Sequence, residues 1–304
     1  MAVRLLPDYL QEVAKNELNE VPSRVPEDIK AIKEWIAKQP HINACTDDQW
    51  ILLFLRGCKF RLQTVKEKME EFYLLRTLLP DYFENRDPLL PDIQEFLNHR
   101  IVLPLPLNKE GPQTFILRVS EGDVDTVSLK TILKGGTMFL DMIMRENDHL
   151  VLGQYLILDM KHFDIGYITQ LTPFMIKMIA RALRNAYPTR PKGFFILNSS
   201  PMFKALVEFG CRFLNKKLTS RIHFYDKDAL DELKKVIPTE ILPREYGGVG
   251  DSCEKIGAEW KTKMEDYREW FLESSQYKVD MSKKVNHLHT EEETVGSFRK
   301  LEID

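Results

Sequence analysis

Between Arg184 and Arg221 the chain carries eight Lys or Arg residues (Arg184, Arg190, Lys192, Lys204, Arg212, Lys216, Lys217 and Arg221) against one acid, Glu208, a local balance of +7 in a protein of net charge −3. Cations gathered this densely suit anions. Several ammonium and guanidinium groups converging on clustered phosphates form charge-assisted hydrogen bonds, and each is drawn to an anionic lipid surface by about 1 kcal/mol at close range. Among them runs "NSSPMFKALVEFGCRFLNKK", residues 198–217. Read as a helix from Pro201 to Leu214, it sets Met202, Ala205, Leu206, Phe209 and Phe213 on one face and Phe203, Val207, Gly210 and Leu214 on another. A helix apolar nearly all round is either buried in a core or in contact with lipid. The slightly acidic whole gives no reason to expect general nucleic-acid binding.

Other residue constellations offer less. Asp159, His162 and Asp164 follow a strand signal, where an α/β active site could lie, and form the best acid–base candidate. The nearby Ser199–Ser200 lacks the glycine pattern of a nucleophile elbow. "YGGVGDS" has neither the G-x-G-x-x-G spacing nor a following Lys-Ser/Thr, so it reads as a turn rather than a phosphate cradle. Cys45, Cys58, Cys211 and Cys253 form no C-x-x-C pair, which indicates reduced thiols and neither a zinc site nor a disulfide framework. His287 and His289 lie in a polar tail without further nameable ligands, so no metal is expected. Altogether the sequence predicts no enzyme, no catalytic residue and no cofactor.

The elements that would hold these residues fall into two textures. Over roughly the first 90 residues the periodicity is helical throughout: Ile29, Ile32, Trp35 and Ile36 after Pro26; "TDDQWILLFLRGC" with Thr46 or Asp47 as N-cap; and Val65, Met69, Phe72, Leu75 and Leu79 along one stripe. Pro80 and "NRDPLLPD" mark a boundary near 85–91. From Gly111 short apolar strands, "TFILRVS", "GQYLILDM", "GFFILNSS" and "RIHFYD", alternate with helical segments at 128–148, 172–186, 201–214 and 228–236. Near-continuous apolar strands separated by helices predict an α/β domain on a mostly parallel sheet. One more helix is expected over 254–274, and the polar residues 276–304 are expected to be disordered. The predicted plan is a helical module (1–90), an α/β domain (91–250), a C-terminal helix (251–275) and a tail. The N-terminus lacks a signal-peptide core, and no apolar run reaches the roughly 20 residues of a membrane span, so a cytoplasmic protein with peripheral, reversible membrane contact is expected.

"DDQWILLFLRGCKFRLQTVKEKMEEFYLLR", "YLILDMKHFDIGYITQLTPFMIKMIARALRNAYPTRPKGFFILNSSPMFKAL" and "LTSRIHFYDKDALDELKKVIPTEILPREYGG" together resemble the CRAL-TRIO family, whose members include the α-tocopherol transfer protein and the cellular retinaldehyde-binding protein. The resemblance spans roughly residues 25–250. It implies a lipid-binding α/β domain with the sheet as floor of a hydrophobic cavity and the helix after Ser200 as its gate. It also implies a phosphoinositide-binding cluster at Arg190, Lys192, Lys217 and Arg221, with Cys58 standing where tocopherol-type members often carry arginine, so that the cluster either loses a member or borrows Lys59. Cavity walls are implied at Leu133, Gly136, Leu140, Leu158, Phe163, Leu171, Ile179, Leu183 and Phe194, closed by Phe203, Leu206, Phe209 and Leu214. Gly136 and Leu140 replace serines that face the ligand in the tocopherol transfer protein, so head recognition differs here.

The expected function is therefore a carrier that binds one hydrophobic ligand (a retinoid, tocopherol, carotenoid or similar isoprenoid lipid) and exchanges it at phosphoinositide-containing membranes. A phosphatidylinositol or phospholipid exchange protein and a lipid-sensing signalling adaptor are the alternatives. The sequence names no protein partner.

Overall fold

The computed structural model describes residues 3–284 apart from 110, 121–124, 164 and 227. Six helices come first: α1 (Asp8–Leu18), α2 (Val25–Ala37), α3 (Asp48–Gly57), α4 (Leu62–Leu78), α5 (Pro80–Phe83) and α6 (Pro91–Asn98). Their starts follow local chemistry. Pro26 occupies the first turn of α2, where a missing N–H costs nothing, and the Asp47 carboxylate accepts from Trp50 N at 3.0 Å to cap α3. The expected stripes point inward: Ile29, Ile32 and Ile36 with Val65, Met69 and Leu75 are buried around edge-packed Trp50, Phe54 and Phe72. Helix α1 lies apart from this core. Its Leu10, Ala14 and Leu18 cover Val151, in a short turn at Asp148–Leu152 of the second half of the chain.

That second half is an α/β unit. Strands β1 (Val102–Pro104), β2 (Gln113–Arg118), β3 (Gln154–Asp159), β4 (Pro191–Leu197) and β5 (Ile222–Tyr225) form one sheet in the order β1-β2-β3-β4-β5, with β1 antiparallel and the rest parallel. The connections carry α7 (Leu129–Glu146), α8 (Ile165–Ile168), α9 (Pro173–Arg181) with a π turn to Ala186, α10 (Pro201–Cys211) and α11 (Lys216–Thr219). Strand alternation divides the sheet between two cores. Ile116, Ile157, Phe195 and Leu197 pack beneath α12 (Ala229–Lys234) and α13 (Cys253–Asp266). Phe115, Leu117, Leu156, Leu158, Ile196, Ile222 and Phe224 face α7, α9 and α10. The fold is thus a helical N-terminal region followed by an α/β domain on a mostly parallel five-stranded sheet.

Three features depart from the sequence reading. Strand β1 went unread because its "VLP" ends in a proline, a residue a sheet tolerates at an edge. The helix expected over 254–274 breaks at Tyr267 into α13 and α14 (Arg268–Ser274), which turns Trp270 toward Trp50 (ring centroids 6.1 Å apart) and buries Phe271. Residues 276–284, read as part of a disordered tail, return to the helical module. Val279 is buried and bridges Ile42, Asp280 N donates to His41 O (2.7 Å), and Asn43 N donates to Lys278 O (3.0 Å). Backbone pairing explains how so polar a segment is held. The rest of that tail, with His287 and His289, lies outside the described residues.

Candidate functional site

The sheet face beneath α7, α9 and α10 is apolar. Leu156 and Leu158 on β3, Phe194 and Ile196 on β4, and Ile222 and Phe224 on β5 share that face by alternation and by pairing, Leu156 beside Phe194 and Phe194 beside Ile222. On α7, Leu133, Gly136 and Leu140 recur at helical spacing, and the two leucines are half-buried against the core. The adjacent glycines of this helix serve opposite purposes. A Cβ on Gly135 would lie 2.5 Å from the Phe96 ring, so Gly135 lets α6 approach; a Cβ on Gly136 would meet nothing within 4 Å, so that side of α7 faces open space. We expect Gly136→Ala to raise stability by up to about 1 kcal/mol through helix propensity, and Gly135→Ala to lower it by about 1–3 kcal/mol through overpacking, both read from urea midpoints.

Phe163 is buried, stacks on Tyr167 (4.9 Å) and meets Phe203 edge-on (5.4 Å), linking the start of α10 to the segment after β3. Leu171 and Leu183 are half-buried. Ile179 departs from the expected wall position: it is 37% exposed, because α9 is a surface helix whose buried residues are Met178 and Ala180. Helix α10 is capped by the Ser200 hydroxyl, which accepts from Phe203 N (3.2 Å), and begins at Pro201. None of its residues is buried, apolar as they are. Phe203, Leu206 and Val207 turn to the core, and Gly210 lets Ile176 of α9 approach. Phe209, expected among the closing residues, is half-buried and packs its ring on Phe213 (5.4 Å). Leu214 lies half-buried beyond the helix end. The sequence reading missed Leu156, Ile222, Phe224, Met175 and Val207 as members of this face. For the strand residues the signal was there: each sits two positions from an identified one or from its mate on the same strand.

The four expected cations gather at the opposite edge of the sheet, where β4 and β5 begin. Arg190 donates through N to Gln154 Oε1 (2.7 Å) and through Nη2 to Glu17 Oε2 (2.6 Å), and its Nη1 reaches Val151 O. Lys192 Nζ lies 3.3 Å from the same Glu17 oxygen. Arg221 donates from Nη1 to Pro191 O and so stands over the start of β4. Lys217, on α11, is exposed; repulsion from Arg221, then partial burial, then repulsion from Lys59, Arg190 and Lys192 lowers its pKa. Lys59 therefore belongs to the cluster. Its backbone is left-handed (φ 56°), as is that of Phe60 (φ 54°), an uncommon pair that turns the chain sharply after α3. A Cβ on Gly57 would lie 2.2 Å from Pro188 O, so glycine is what brings the end of α3 against the segment leading to Arg190. Cys58 is buried, and burial pushes its thiol up to about 11, so it offers nothing to an anion.

The acid–base candidate resolves into structure. Asp159 accepts from Asn198 Nδ2 (2.9 Å), Tyr246 OH (2.9 Å) and Lys161 N (3.2 Å), which ties together the ends of β3 and β4 and the loop after α12. Asp164 lies outside the described residues. In the glycine-rich turn, a Cβ on Gly248 would lie 2.1 Å from Leu242 O, a packing role. Among the described residues no group of three or more His, Cys, Asp or Glu could hold a metal, and no helix is long and apolar enough to cross a membrane.

Behind α7 lies a charged cluster of another kind. Asp141 is fully buried, receives Arg86 Nη1 at 2.8 Å and pairs with Arg76 Nη2. Arg86 is also fully buried, against the rings of Phe83 and Phe271, and Arg76 lies over Phe72 (4.6 Å). These charges join the helical module to α7.

Comparison with known proteins agrees with this architecture. The model of the CRAL/TRIO domain matches residues 98–248, and that of a Pinta-like UBA domain matches residues 21–93. Clavesin-2 of Rattus norvegicus is 28% identical over 290 residues, covering 94% of this chain and 87% of its own length. Clavesin-1 of Rattus norvegicus is 29% identical, covering 80% of this chain and 69% of its own. The alpha-tocopherol transfer protein-like protein of Mus musculus is 25% identical, covering 80% and 71%. With the domain's model matched across the whole sheet and a helical module in front of it, the chain belongs to the CRAL-TRIO family of lipid-binding proteins.

Proposed function

We propose that this protein carries one hydrophobic molecule, an isoprenoid or similarly apolar lipid, and exchanges it at membranes that display phosphoinositides. The observation that carries the reading is α10, an apolar helix with no buried residue, lying across an apolar sheet face in the chain's most basic segment. An ordinary core helix would bury one side fully and would not need lysine and arginine around its ends. A gate needs two apolar sides, one toward the ligand when closed and one for the membrane interface when open. The inner side is Phe203, Leu206 and Val207, and the open space beside Gly136 gives a chain or ring somewhere to go. Outward, Met202 is 51% exposed and Phe174 of the adjoining α9 is 52% exposed, apolar area that suits a lipid interface.

Docking is assigned to Arg190, Lys192, Lys217 and Arg221, with Lys59 as a fifth cation. Ligand is held by burial at about 25 cal/mol per Å² and released by displacement of α10, with no bond broken and no cofactor required. Gly136 and Leu140 put no hydroxyl on that side of α7, which favours an apolar cargo beside it. The alpha-tocopherol transfer protein-like relative supports the carrier reading through its name. Placing a charge at Met202 tests it. Met202→Asp removes a side chain worth about 1.5 kcal/mol or more at an interface, so transfer between vesicles should slow about tenfold while bound lipid per chain is unchanged. Unchanged transfer would contradict the role given to α10.

A further inference from the structure

The docking cluster already holds an anion. Glu17, in the last turn of α1, presents one oxygen to both Arg190 Nη2 (2.6 Å) and Lys192 Nζ (3.3 Å). Arg190, aided by Lys192 and opposed by slight burial, holds the Glu17 carboxyl below the usual range. Lys59, Lys217 and Arg221 have no carboxylate within ion-pair distance among the described residues. The two halves of the pair are held differently. Arg190 is fixed by Gln154 and Val151, whereas Glu17 is half-exposed on a helix whose own core consists of Leu6, Leu10, Ala14 and Leu18 against Val151. The cation stays; the carboxylate can leave.

We propose that Glu17 sets the headgroup selectivity of this site by occupying Arg190 and Lys192 in place of one phosphate. The inference rests on the docking reading above. A lipid with a single phosphodiester or carboxylate brings one negative charge, no more than Glu17 supplies, and meets only the three cations left over. A headgroup with two phosphomonoesters brings about −1.5 to −2 on each, enough to exchange for the carboxylate and engage all five cations. Displacing Glu17 also loosens α1 from Val151, so occupancy of the site is reported at the N-terminal helix.

The test uses the full chain with its lipid, as wild type and as Glu17→Gln, which keeps size and shape and removes the charge. Binding is measured to phosphatidylcholine vesicles containing phosphatidylinositol 4,5-bisphosphate and to vesicles containing phosphatidylserine at matched surface charge. Wild type should prefer the bisphosphate. In Glu17→Gln, binding to phosphatidylserine vesicles should rise about fivefold, the effect of one charge near the surface, with a smaller rise for the bisphosphate, so the preference narrows. In wild type, amide exchange across α1 should quicken on bisphosphate vesicles and not on phosphatidylserine vesicles. A preference unchanged by Glu17→Gln, or α1 exchange unaltered by bound bisphosphate, overturns the inference while leaving docking in place. Failure of the wild type to bind bisphosphate vesicles overturns the docking reading and this inference together.

Discussion

Reversing the charge at Lys217 and Arg221 together should reduce binding to phosphoinositide vesicles about a thousandfold at low salt, with bound lipid per chain unchanged. Each cation near an anionic surface is worth about 1 kcal/mol, and Lys→Glu with Arg→Glu exchanges two attractions for two repulsions, about 4 kcal/mol in all. The effect should shrink as salt is raised, because the Debye length falls from about 10 Å at 0.1 M to about 3 Å at 1 M. Lys217 carries most of the interpretation. It is exposed, and the repulsion from four neighbouring cations means that it is held in the cluster without a stabilising partner of its own. Arg221 also donates to Pro191 O, so the unfolding midpoint of the double variant must be measured alongside. Vesicle sedimentation that survives the double reversal would remove the docking assignment, and the apolar face of α10 would then have to act alone.

The largest effect on stability should come from Asp141→Ala. Asp141 is the carboxylate facing two buried guanidinium groups, and Arg86 is as fully buried as its partner. Removing the anion leaves two cations out of water beside aromatic rings, an error that costs about 3–5 kcal/mol, a large part of the 5–15 kcal/mol that holds a typical domain together. Burial already lowers the Arg86 pKa against the attraction of Asp141. A second variant separates loss of pairing from loss of shape: the triple replacement Arg76→Met, Arg86→Met and Asp141→Leu removes all charge and should be more stable than Asp141→Ala in urea, because apolar side chains of similar size replace buried ion pairs at little cost. If the triple variant is the less stable of the two, the cluster acts through specific hydrogen bonds that its pairs alone do not account for.

These two sites differ in how far the sequence disclosed them. The basic segment was legible as a run of uneven charge, but the choice of Arg190, Lys192, Lys217 and Arg221 came from the resemblance carried by "YPTRPKGFF" and "NKKLTSRIHF", and the structure sets these cations at two adjacent strand starts. Lys59 lies in the turn after α3 and was reached by the same resemblance; its left-handed backbone and Gly57 against Pro188 are what deliver it. Glu17 was invisible, 173 positions from Arg190 on a helix with no distinguishing pattern. Arg86 read as part of a polar boundary stretch, since a lone arginine between Asn85 and Asp87 looks solvated until Asp141 is seen beside it. The strands and their apolar face followed from alternation, a local property. The inner side of α10 did not: a helix apolar all round does not say which side faces in, so Val207 was passed over. Residues 276–284 failed for a related reason, because their binding is by backbone pairing with Ile42 and His41, which composition does not record. Deletions meant to probe the C-terminus should accordingly begin after Lys284.

Mass spectrometry of the protein purified from its native tissue tests most directly the proposal that this chain encloses one apolar molecule. Native spectra count bound molecules and organic extracts name them. One isoprenoid or comparably apolar lipid per chain is expected; stoichiometric phospholipid would assign the protein to exchange of membrane lipids instead, and a reproducibly empty chain would contradict the carrier function.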